Sequence, residues 1–174
     1  MIKQNKKKLS IQEICLFAIL GALMFVSKIV MEALPNIHLL GMLTMTYTVT
    51  FRKKALIPIY IYVMLNGLYA GFSLWWIPYL YIWTVLWGLT MLIPERLPSK
   101  IKWVVYPIVC CIHGLAFGTL YAPVQALMFG MNFEQMVAWI IVGLPWDLLH
   151  GISNIFTGLL IIPLSDLLKK LMEK

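Results

Sequence analysis

Charge is scarce in this chain, and it is unevenly spread. Only 12% of the 174 residues are Asp, Glu, Lys or Arg, seven acidic against fourteen basic, while 61% are hydrophobic and the mean hydropathy is +0.87. That composition supplies helices and short connections and excludes a soluble domain of ordinary size. Cysteine is scarce as well: Cys15, Cys110 and Cys111 lie in apolar runs without the paired spacing of a zinc site, and they read as small core residues. No Walker A sequence is present, no GxSxG elbow, no HExxH and no pair of intramembrane aspartates, so the sequence offers neither its own ATPase nor a recognisable hydrolase. No internal repeat or low-complexity tract breaks the chain, and no cofactor or metal is called for.

The basic residues that are present carry the topology. Thirteen of fourteen fall in four clusters, Lys3/Lys6/Lys7/Lys8, Arg52/Lys53/Lys54, Arg96/Lys100/Lys102 and Lys169/Lys170/Lys174, with almost uninterrupted apolar sequence between them. Neighbouring clusters are separated by room for two crossings of about 20 residues each. Loops on the cytoplasmic side collect Lys and Arg, so both termini read as cytoplasmic and the chain as an all-α integral membrane protein of six transmembrane helices, one membrane domain over residues 1–174. The spans are expected near 11–31, 37–51, 55–72, 76–93, 103–122 and 145–164. The net charge of +7 is then a product of topology and favours contact with anionic headgroups of the lipid bilayer; it does not indicate nucleic acid. The basic start followed by an apolar run resembles a secretory signal, but no small-x-small cleavage site follows, and an uncleaved first span is expected.

Local signals place the ends. Ser10 with Glu13 makes a capping box for span 1, and Pro35 with Asn36 marks the first outer turn. Span 2 is short and rich in Thr, which requires little tilt or shielding by protein. Pro123 is expected to break or kink span 5. Residues 124–144 fit either an extension of that span or an outer loop with an amphipathic helix, and Pro145 is expected to open span 6.

Polar groups in such a chain are informative because hydrocarbon tolerates them only when paired or facing a cavity. Asp147, His150 and Asn154 share one helical face at i, i+3 and i+7, which is either a pocket wall or a packing stripe. The fourteenth base, Lys28, sits near the outer end of span 1 and can pair with Glu32, answer Asp147 or touch a ligand. The turn between spans 3 and 4 is dense in aromatics, Trp75, Trp76 and Tyr79 among them. These rings serve either as an interfacial belt or as a stacking surface for a flat ligand. His38 and His113 are isolated and read as satisfied structural residues. Asn66 is expected to bond a neighbouring helix. Gly114 and Gly118 permit close helix approach, and Ala18 with Ala22 forms a second small-residue seam that can meet another subunit.

A six-span chain of this size, with a basic N-terminus, Ala18xxxAla22 on span 1, an aromatic outer turn and Pro145-Trp-Asp147 opening span 6, resembles the substrate-binding S components of energy-coupling factor (ECF) vitamin transporters. The resemblance covers nearly the whole chain. It implies a multi-pass protein of a bacterial cell membrane that captures a small water-soluble vitamin or related planar micronutrient from outside. It also implies partners, one transmembrane coupling subunit and two ATPase subunits, with Ala18 and Ala22 as the docking seam. Asp147, His150, Asn154, Trp75, Trp76, Tyr79, Lys28 and Glu32 would then form or border the substrate site. Riboflavin-binding members commonly carry Asn and Lys after the span 6 proline, where this chain has Asp147 and His150. Two other readings stay open: a small membrane enzyme using Asp147 and His150 on a lipid, and a structural membrane subunit.

Overall fold

The computed structural model describes residues 9–34 and 36–173, and among them eight α-helices make up most of the chain; the first basic cluster and Pro35 lie outside the described residues. The helices are α1 (Ile11–Val30), α2 (Leu40–Phe51), α3 (Leu56–Ala70), α4 (Tyr79–Leu92), α5 (Ser99–Leu115), α6 (Phe117–Phe129), α7 (Phe133–Gly158) and α8 (Ile161–Met172). Among the described residues there is no strand. Three stretches are long and apolar enough to cross a membrane: α1, the nearly continuous pair Ser99–Phe129, and α7. The helices α2, α3 and α4 have 12, 15 and 14 residues. At about 1.5 Å per residue they are shorter than a hydrocarbon core of about 30 Å.

Their shortness is compensated by enclosure. Ten of the twelve α2 residues are buried, Thr44, Thr46 and Thr48 among them, so these threonines meet protein. The Thr48 and Thr50 hydroxyls donate to the carbonyls of Thr44 and Thr46 at 2.7 and 2.8 Å, using the helix's own acceptors. Around α2 the apolar core is assembled from α1, α3, α4, α5 and α8, with Phe17, Met24, Met45, Tyr47, Ile59, Tyr62, Trp83 and Ile161 all nearly inaccessible. Helix α1 packs along α3 and α5 along α7.

The Ser10 box forms as expected: Glu13 N–H donates to Ser10 Oγ at 3.1 Å, and Ser10 N–H donates to the Glu13 carboxylate at 3.0 Å. The course of residues 103–164 differs from expectation. The break in span 5 lies at Ala116, whereas Pro123 sits inside α6. Helix α6 ends at Gly130, whose φ of 63° provides the left-handed cap. A second capping box, Asn132 with Gln135, starts α7, and the helix continues through Pro145 to Gly158. Pro145 therefore does not open a helix, and Asp147 lies in the middle of α7, away from that helix's own N-terminus. A proline removes one backbone donor and strains the preceding turn; a helix of 26 residues with a strong box at its start absorbs that loss.

Three basic clusters meet at one end of the bundle. Arg52 Nε pairs with Glu95 at 2.8 Å, Lys54 pairs with Glu13, and Arg52, Lys102 and Lys169 line one cavity of about 280 Å³. Arg52 holds φ at 54°, its carbonyl accepts from the Trp87 indole at 3.1 Å, and its guanidinium donates to the Met91 carbonyl at 3.2 Å. The opposite end carries residues 31–34 and 36–38 and the aromatic turn at 71–78.

Candidate functional site

The chain has three histidines, far apart in sequence, and the fold brings them together. His38 precedes α2, His113 is on α5 and His150 on α7. The His38 and His150 rings lie 4.5 Å apart by centroid. Trp83 of α4 is 6.2 Å from His38 and 5.8 Å from His113, while Phe117 of α6 is 5.1 Å from His150 and 6.2 Å from His113. Tyr62 on α3 and Tyr79 on α4 close further sides of Trp83, at 6.1 and 6.2 Å. The expectation that His38 and His113 are lone, satisfied residues is thereby corrected. Each stood in its own apolar segment, and only helix packing joins them.

Most polar atoms here have no partner. His113 Nε2 faces the Ile82 carbonyl at 3.1 Å, and since a carbonyl only accepts, this nitrogen donates; in the neutral ring Nδ1 is then a bare acceptor. That Nδ1 is buried and unpartnered, as are His38 Nδ1, His150 Nε2, the Tyr62 hydroxyl, the Trp83 indole N–H and both side-chain heteroatoms of Asn66. Asn66, one turn on from Tyr62, thus makes no bond to a neighbouring helix, contrary to expectation. Each orphaned group costs about 1–3 kcal/mol relative to a paired one. Beside Trp83 and its ring neighbours the fold thus leaves a group of buried donors and acceptors unsatisfied.

The predicted α7 stripe is buried, with Asp147, His150 and Asn154 at 7%, 2% and 0% exposure, but its members do different things. Asn154 Nδ2 donates to the Cys110 carbonyl at 3.1 Å and lies where a side chain on Gly41 or Gly114 would be, which makes it chiefly a packing residue with a spare Oδ1. His150 belongs to the histidine cluster. Both Asp147 oxygens accept from the Gly118 N–H at 3.1 Å, and a Cβ at Gly118 would collide with the carboxylate. The glycine pair does serve close approach: a Cβ at Gly114 would sit 3.0 Å from Gly151 Cα.

Beside the histidines, and sharing Phe117 as a wall, a groove of about 450 Å³ lies between α6 and α7, lined by Asn36, Gly118, Tyr121, Gln125, Trp139, Trp146 and Asp147. Tyr121 and Trp139 are near-parallel at 6.1 Å. Ser153 donates to the Asn36 carbonyl at 3.3 Å and ties Asn36, a residue of the groove, to α7. The aromatic turn supplies part of the site and much of its scaffold. Tyr79 borders Trp83 and Phe117. The Trp75 carbonyl accepts from Tyr121 Oη at 2.9 Å, and the Trp76 indole donates to the Val63 carbonyl at 2.8 Å, which commits Trp76 to holding the turn against α3.

Lys28 and Glu32 stand apart from the site. They pair with each other at 3.0 Å, and Lys28 Nζ is 6.0 Å from the Tyr69 ring, so the alternative of Lys28 answering Asp147 is not adopted. Ala18 is exposed and Ala22 half-buried, whereas Gly21 between them packs on Ile61 and Pro58 of α3. A larger hollow of about 660 Å³ along α3, lined by Leu56, Ile57, Tyr60, Ile61, Met64 and Leu65, is apolar and has little to orient a ligand. Comparison of the chain with protein-family models, curated proteins and solved structures returns no match.

Proposed function

We propose that this chain is the substrate-binding subunit of a membrane importer of the energy-coupling factor type, capturing a small water-soluble vitamin or related planar micronutrient. The supporting observation is the group of orphaned buried polar atoms around Trp83, contributed by five segments and placed toward the end of the bundle remote from the basic clusters. Aromatic walls offer stacking to a flat ring, while the nitrogens, hydroxyl and amide offer edge contacts. In this reading the chain does no chemistry and relies on a coupling subunit and two ATPase subunits, with the seam at exposed Ala18 and half-buried Ala22 as the docking face. The alternative acid–base pair on a lipid gains no support, since Asp147 turns to Gly118 and His150 to His38 and Phe117.

The same reading assigns six crossings in a bacterial cell membrane, with both termini cytoplasmic; the convergence of three basic clusters at one end supports it. Ser73 and Ser99 are both exposed. Single cysteines there are expected to label from outside and from inside, respectively, and labelling of Ser99→Cys by an impermeant reagent from outside would reject the topology.

Function is tested by mass spectrometry of small molecules retained on the purified chain, followed by uptake in cells that contain the energising module. A specific retained molecule is expected. Ala18→Trp should abolish its uptake and leave its binding to the isolated chain within about twofold, because backbone approach at a small-residue seam is set by the side chain added. No retained molecule, or turnover of a lipid, would overturn the proposal.

A further inference from the structure

The groove between α6 and α7 differs from the histidine cluster in one respect: it holds a carboxylate. Among the described residues Asp147 is the one Asp, Glu, Lys or Arg that lines it, and the other walls include Phe117, Tyr121, Trp139 and Trp146 with the amide of Gln125. Among the described residues the carboxylate has a single donor, the Gly118 N–H, where an ionised carboxylate accommodates about four. The counter-ion that the sequence offered, Lys28, is engaged by Glu32. A buried carboxylate without a counter-charge is strongly disfavoured, and electron-rich ring faces around it favour the same kind of guest, a weakly hydrated positive charge. The absence of a Cβ on Gly118 is what lets the carboxylate reach this position.

We infer that this groove is a subsite for an organic cation, an ammonium or a positively charged heteroaromatic ring, bound between Asp147 and the rings of Tyr121, Trp139 and Trp146. The inference rests on the proposed role as a nutrient-binding subunit and narrows its substrate class. Phe117 lines the groove and also touches His150 and His113, so one ligand can place its charged group against Asp147 and a flat neutral portion against the histidine cluster.

The test uses the purified full chain in detergent with labelled choline as probe. Its competitors are unlabelled choline and dimethylbutanol, a neutral analogue in which carbon replaces the ammonium nitrogen. Choline should compete at least about tenfold better than dimethylbutanol. Asp147→Asn should reduce choline retention about tenfold, and so should Trp139→Leu, which leaves the Asp147–Gly118 contact untouched. Equal competition by the two probes, or full retention in Asp147→Asn, would overturn the subsite. A retained native molecule without positive charge would also overturn it and leave the binding-subunit reading standing. Asp147-dependent choline selectivity in a chain that never retains a nutrient would do the reverse.

Discussion

Asn66→Leu is expected to weaken binding of the retained molecule by about tenfold to a hundredfold and, in the same protein, to raise the stability of the ligand-free state by roughly 1–3 kcal/mol. The two effects share one cause. Asn66 is 1% exposed, and neither its amide nitrogen nor its oxygen has a partner. Leucine keeps the same branched skeleton of four side-chain heavy atoms and leaves nothing unsatisfied, so the fold gains what the orphaned amide had cost, while a ligand that bonds this amide loses its contact. Activity and stability then move in opposite directions, as expected where a site is built at the expense of the fold. Calorimetric titration and thermal unfolding in one detergent measure both. A variant that loses stability and keeps its affinity would show that Asn66 is a packing residue.

Gly114→Ala should destabilise the protein by about 1–3 kcal/mol, and Gly114→Val by more, since overpacking forces backbone to move. The added Cβ would meet Asn154 Nδ2 at 2.7 Å and Gly151 Cα and N at 3.0 and 3.1 Å, so atoms of the facing helix, two of them backbone, stand in its way. Helix α7 would be pushed from α5, and Asn154 would lose its bond to Cys110. Gly88→Ala and Gly143→Ala provide the control: nothing lies within 4 Å of a Cβ at either position. These two should be neutral or gain up to about 1 kcal/mol from helix propensity. The difference is read as the midpoint of thermal unfolding, and equal behaviour of all three glycines would dismiss the tight α5–α7 seam.

Helix existence was largely legible without coordinates. Long apolar runs between basic clusters mark the helices, and the Ser10 box marks where the first begins. The least legible part was 116–158. A proline is a strong local signal, yet Pro123 and Pro145 both lie within helices, because packing and the caps at Gly130 and Asn132 outweigh one missing donor. The Asn132-x-x-Gln135 box was the available signal for the start of α7. Its recognition would have moved the helix start upstream of Pro145 and removed Asp147 from a helix N-terminus.

By itself the sequence determined the composition of the problem: an all-helical chain, apolar enough to meet a membrane, with its bases gathered in clusters and its few polar groups confined to named positions. It also determined that Asp147, His150 and Asn154 would share a face, since helical periodicity is local. Which polar residues would meet across helices was decided only by tertiary structure. His38, His113 and His150 are separated by 75 and 37 positions, and nothing in their neighbourhoods points from one to another. Their convergence, with His38 and His113 against Trp83 and His150 against His38 and Phe117, and the seating of Asp147 on Gly118 follow from the way the helices pack, above all α5 and α6 against α7. That arrangement depends on glycines that admit backbone and on side-chain volumes summed over the whole bundle, a long-range property that no window of the sequence contains.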